Sequence, residues 1–210
     1  MESMYVQYGC GFVAPEEWEN YDSSLTLRFE RIPFIGRLYT KNEKKFPRNV
    51  KFGDIVRGLP VPDMSCRGVY CSHILEHLAL DELRVALLNT HKILAPGGEF
   101  RLVVPDLRAA AADYLADNSR HAVQRFMHRI SMGQERRQHG LYQFLKRYLG
   151  SSEHRWMWDE ASLKSELEHV GFGRVRRAVV GDAIDPLFSK VEDITRWEGC
   201  LGMSCIRPEL

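Results

Sequence analysis

Short apolar runs alternate along this chain with longer stretches of helical period. Met4–Tyr8 is an apolar run ended by glycine and predicts a first strand. Residues 18–21 predict a second strand ending at Asp22, and residues 49–52 a third ending at Gly53-Asp54. Residues 69–72 read as a buried fourth strand, and residues 99–104 as a fifth closed by Pro105-Asp106. Between the last two, Leu80, Leu83, Leu87, Leu88 and Ile93 recur at the spacing of one helix face. Asp81 and Glu82 in its first turn and Lys92 in its last suit the helix dipole, and Pro96-Gly97-Gly98 stops it.

Residues 24–47 read as irregular, with at most one short helix. From 107 to 155 only helix-forming stretches occur, at 109–116, 120–132 and 138–149. Asp159 caps a further helix to Val170 that Gly171 ends, and residues 174–180 and 200–206 supply the last two strands. The alternation predicts an α/β fold with a Rossmann-like, seven-stranded, mostly parallel sheet. It spans one domain, 1–210, with a helical insertion at about 107–155 over the active-site edge.

Composition narrows the class. At 210 residues the chain can bury a substantial core, and its net charge of +1 gives no field for nucleic acid or an anionic membrane. No apolar run is long enough to span a bilayer, and Met1-Glu2-Ser3-Met4 does not open a signal peptide. Five cysteines without a CxxC pair predict free thiols and a cytoplasmic setting, with no metal centre.

Chemistry concentrates at strand ends. Gly9 and Gly11, on either side of Cys10, allow a tight turn whose backbone N–H groups can hold a carboxylate. Asp22 is placed to accept hydrogen bonds from two ribose hydroxyls. It follows Gly11 by eleven residues, too few for the helix of a dinucleotide site. Ser72 and His73 end the fourth strand, where ligands of such sheets bind. His73-Ile74-Leu75-Glu76-His77 also matches H-x-x-E-H, a zinc hydrolase string, but it follows a strand directly.

Taken in order, Gly9-Cys10-Gly11, Ser72-His73-Ile74-Leu75-Glu76-His77-Leu78 and Leu94-Ala95-Pro96-Gly97-Gly98 resemble the class I S-adenosylmethionine-dependent methyltransferases, most closely the methyltransferase type 11 branch. The resemblance implies S-adenosyl-L-methionine as cofactor, held by Gly9, Cys10, Gly11, Asp22, Asp54, Ile55 and Ser72. Asp54 would meet the adenine amino group and Ile55 the base. The branch usually carries an acid where this chain has Arg67.

His73 and His154 are the implied catalytic residues, each a proton acceptor for a hydroxyl acceptor. Glu76, His77 and Leu78 would only orient the turn. The implied acceptor is a small molecule or saccharide. The basic residues between Arg120 and Arg155 read either as a solvated face or as a lid attracting an anionic, phosphorylated sugar. Nucleic acid is not expected, since no aromatic residues interleave with that basic run. The helix that often covers the cofactor in relatives does not precede the first strand, which implies a loose site or one closed by a second copy of the chain. A non-catalytic binding module of the same fold is the competing reading.

Overall fold

The computed structural model describes residues 4–33, 45–133 and 153–209. Seven strands form one sheet: β1 Met4–Tyr8, β2 Glu19–Asp22, β3 Val50–Phe52, β4 Cys66–Ser72, β5 Leu94–Pro105, β6 Gly173–Ala178 and β7 Cys200–Ile206. Their order is β3-β2-β1-β4-β5-β7-β6. The pairs from β3 to β5 are parallel, and β7 runs antiparallel to both its neighbours. Strand order reverses between β1 and β4, which opens a crevice at their C-terminal ends.

The helices are α1 Leu25–Glu30, α2 Leu80–Ile93, α3 Leu107–Ala116, α4 Ala122–Arg129, α5 Glu160–Val170 and α6 Ile194–Trp197, with 3-10 turns at Leu75–His77 and Pro186–Lys190. Asp159 caps α5 through Ser162 N–H at 2.8 Å, and Gly171 ends it in the left-handed region at φ 106°. α3 and α4 occupy the expected insertion, while residues 138–149 lie outside the described residues. β5 begins at Leu94, so Pro96-Gly97-Gly98 both ends α2 and enters the strand. It does so as a register irregularity opposite residues 66–68.

Alternation along the strands divides the core. Val6, Tyr8, Val69, Cys71, Phe100 and Leu102 pack with Leu83 and Leu87 of α2 and Leu163 and Leu167 of α5. Tyr5, Tyr70 and Val103 point to the other face. There β1 passes to β2 through residues 9–18 without a helix. The cover comes instead from the β6–β7 connection, whose Phe188, Val191 and Trp197 are buried on that face.

Arg101 of β5, fully buried, holds this connection in place. It donates to Glu192 (2.7 Å), to Asp182 (2.8 Å) and to the Val179 carbonyl (3.0 Å), and its guanidinium lies 5.3 Å from the Trp197 ring. The described cysteines are all free thiols, and no described helix is long and apolar enough to cross a membrane.

Candidate functional site

The glycine turn after β1 folds onto the tip of β2. Gly9 and Gly11 have φ of 68° and 54°, so both sit where side chains are disfavoured. The Cys10 N–H donates to the Tyr21 carbonyl (3.1 Å) and the Gly11 N–H to Asp22 Oδ2 (3.0 Å). The other Asp22 oxygen accepts the Ser24 N–H at 2.8 Å. Gly11 is thus joined directly to the Asp22 carboxylate, and Cys10 is tied to the strand residue just before it.

The β3 tip joins them, because Gly53 N–H donates to the Asp22 carbonyl at 3.1 Å. Asp54 turns its carboxylate back onto Val56 N–H (2.9 Å), and Ile55 is buried with its carbonyl bound by Asn89 (2.7 Å).

Ser72, at the β4 tip, is held by a residue that sequence reasoning missed. Arg196 of α6 donates from Nε to the Ser72 hydroxyl (3.0 Å) and from its terminal nitrogen to the Ser72 carbonyl (2.7 Å). Ile74 packs against the glycine turn: a Cβ placed on Gly9 would lie 2.0 Å from Ile74 Cδ1. The space left among Gln7, Gly9, Cys10, Tyr70, Ser72 and Arg196 is about 10 Å³, room for one water.

A much larger cleft, about 490 Å³, opens beyond β4, β5 and β7 and is lined by His73, Asp106, Arg129, His154, Glu198 and Cys200 among others. His73 adopts φ 56°, a strained conformation for a residue with a side chain. Its N–H donates to the Val103 carbonyl (2.9 Å), Nδ1 meets Glu76 Oε1 (3.1 Å) and Nε2 the Arg196 carbonyl (2.9 Å). Burial works to lower its pKa, but bonds with Cys200, Glu76 and the Arg196 carbonyl outweigh it and push it up to about 10. Both ring nitrogens face acceptors, the Glu76 carboxylate and the Arg196 carbonyl.

His154 differs. Its segment is pinned by Arg155 and Trp156 N–H groups donating to the Glu76 carbonyl at 2.7 and 3.2 Å. Burial holds its pKa below the usual range; the Glu76 charge opposes this and His77 adds to it. Its Nδ1 is buried without a hydrogen-bond partner.

The H-x-x-E-H string crosses a strand end and a 3-10 turn, so His73 and His77 do not share a helical face. His77 instead donates Nδ1–H to the Glu153 carbonyl (3.1 Å) and packs edge-on against the His154 ring.

Of the basic residues in the insertion, Arg125 pairs with Asp117, Arg129 with Asp113 and Arg155 with Glu82. Arg136, Arg137, Lys146 and Arg147 lie outside the described residues. Asp106, also missed, caps α3 through Ala109 N–H and pairs with Arg177 at 2.9 Å. Its signal was present, an acid closing a strand just before an alanine-rich helix.

S-adenosylmethionine, the cofactor implied by the resemblance, needs a carboxylate for its ribose, and Asp22 has that chemistry. It also needs a pocket of several hundred Å³. The gap among Gly9, Cys10, Ser72 and Arg196 is only about 10 Å³, so the ligand does not enter at that point while Arg196 holds Ser72; Asp22, Asp54 and Ile55 lie outside this gap.

No protein-family model matches the chain, and no curated protein matches it. Solved structures do. An S-adenosylmethionine-dependent methyltransferase from Archaeoglobus fulgidus aligns with TM-score 0.50 at 16% identity, over 97% of this chain and 86% of that one. A methyltransferase from Thermotoga maritima, described as a possible histamine N-methyltransferase, gives TM-score 0.50 at 15% identity, over 99% and 83%. PigF with S-adenosylhomocysteine gives TM-score 0.50 at 13% identity, over 99% of this chain and 56% of that one. With its 3-2-1-4-5-7-6 strand order and antiparallel β7, the chain has the fold of the class I S-adenosylmethionine-dependent methyltransferases.

Proposed function

We propose that this chain is an S-adenosylmethionine-dependent methyltransferase acting on a small-molecule or saccharide acceptor held in the 490 Å³ cleft. One observation carries the reading: cleft and crevice share a wall. His73 lines the cleft and binds the Arg196 carbonyl, while the Arg196 side chain closes the crevice at Ser72. A cofactor bound at the β1–β4 switch point would thus adjoin an acceptor in the cleft. The cleft wall carries both signs, His73 and Arg129 together with Asp106 and Glu198, and His154 is the other imidazole facing it. Cofactor entry at Ser72 requires the Arg196 side chain to withdraw.

The closed crevice favours a second reading, a module that keeps the fold but transfers nothing. Calorimetry with S-adenosylmethionine and S-adenosylhomocysteine tests both. Saturable binding of the two ligands, lost in Asp22→Ala, supports the cofactor site. Methyl transfer to a panel of phosphorylated and neutral sugars then identifies the enzyme, and binding without turnover identifies the module. Absence of binding to either ligand sinks both.

A further inference from the structure

At the cleft wall lies a cluster of which the methyl-transfer reading uses only His154. Glu76, His77 and His154 each bring one potential ligand atom within 4.8 Å of the others. Glu76 is fully buried, and its Oε2 has no hydrogen-bond partner. His154 Nδ1 is likewise buried and unpartnered. A buried carboxylate oxygen beside an imidazole lone pair is a costly arrangement unless a cation lies between them.

We propose that Glu76, His77 and His154 form a binding site for a divalent transition-metal cation of the zinc type.

The donor set, two imidazoles and one carboxylate, is one that zinc takes with a fourth position left open. Ligands of a tetrahedral zinc ion stand about 3.4 Å apart, and the three atoms here lie within 4.8 Å of one another. The surrounding groups are those that hold metal ligands in place. His77 gives its Nδ1–H to the Glu153 carbonyl, which leaves Nε2 for the ion. Glu76 Oε1 takes a hydrogen bond from His73.

Local sequence accounts for part of this geometry. Glu76 and His77 are successive residues of one 3-10 turn, and the Glu76 carbonyl binds the two N–H groups that follow His154. The ligands therefore come from two segments clamped to each other by backbone hydrogen bonds. Because His154 lines the cleft, the open position would face an oxygen ligand there, such as a sugar hydroxyl or carboxylate.

The test is a Zn²⁺ titration of chelator-treated full-length protein by calorimetry, with metal content measured on zinc-supplemented preparations. One zinc per chain is expected, with no comparable binding of Mg²⁺, which avoids imidazole sites. Glu76→Gln and His154→Ala should each weaken zinc binding at least about tenfold, the lower bound for disturbing even an outer partner of a ligand. His169→Ala, at an exposed position, should bind as the parent does. If Glu76→Gln does not fold, His154→Ala at its half-buried position carries the test alone. No zinc uptake by the parent overturns the proposal. So does zinc binding in the folded variants equal to the parent's, or an equal loss in His169→Ala.

Discussion

At the crevice, single side chains decide whether a ligand enters. Arg196 makes two hydrogen bonds to Ser72, and Ile74 stands against Gly9. A protein whose closed state blocks a ligand binds it more weakly by the fraction of time it is open. Arg196→Ala removes the bonds that hold the closed state, so binding of S-adenosylhomocysteine should tighten by roughly tenfold. Calorimetry on parent and variant measures this, and weaker binding in the variant would mean that Arg196 is itself a contact of the ligand. Gly9→Ala acts in the opposite sense. It puts a Cβ into Ile74 at a residue with φ 68°, so it should cost about 1–3 kcal/mol of folding stability and leave the crevice shut. Urea unfolding reads that cost directly.

The element that shapes the site most is the connection from β6 to β7. Its 3-10 turn and α6 replace a helix over one face of the sheet, and Arg101 anchors them by charge. Arg101→Ala leaves Glu192 buried without its partner, so a loss of about 3–5 kcal/mol is expected in chemical denaturation. This element was also the least legible in the sequence. β1, β7, α2 and α5 each follow a local pattern, an apolar run for the strands and a helical period with a glycine stop for the helices, and they fall close to where the pattern puts them. Phe188, Val191 and Trp197 keep neither period, and what fixes them comes from Arg101, far away in the chain. The site divides the same way. Gly9, Asp22 and Ser72 sit at strand ends and could be read locally. Arg196 reaches Ser72 across 124 positions, and His154 meets Glu76 through a segment with no regular structure. Asp185-Pro186 and Asp193 do mark the starts of the 3-10 turn and α6, because each aspartate caps the residues after it.

Across the whole molecule, the two faces of the sheet are stabilised differently, and acid should separate them. The α2–α5 face is held by buried apolar side chains that do not titrate in the acid range. The other face combines Phe188 and Trp197 with ion pairs from Arg101 and Arg176 to Asp182. Burial works to raise the Asp182 pKa, but hydrogen bonds from Arg176 and Arg101 outweigh it, so the folded value lies below the usual carboxylate range. A carboxylate with a depressed folded pKa contributes stability that is complete above its unfolded pKa, about 3.9, and disappears as pH falls through the folded value. Folding stability should therefore decline below about pH 4. Asp182→Asn should be less stable than the parent at pH 7 and show a shallower decline in acid, since one of the protons taken up on unfolding is gone. Urea denaturation of both proteins between pH 7 and pH 3 measures the two slopes. The β6–β7 connection should loosen first, and because it carries Arg196, the crevice at Ser72 should open along with it. Hydrogen exchange at pH 3.5 that is fastest around residues 179–199 and slow in β1, β4 and β5 is the expected pattern. Uniform exchange across the sheet would mean that the two faces unfold as one.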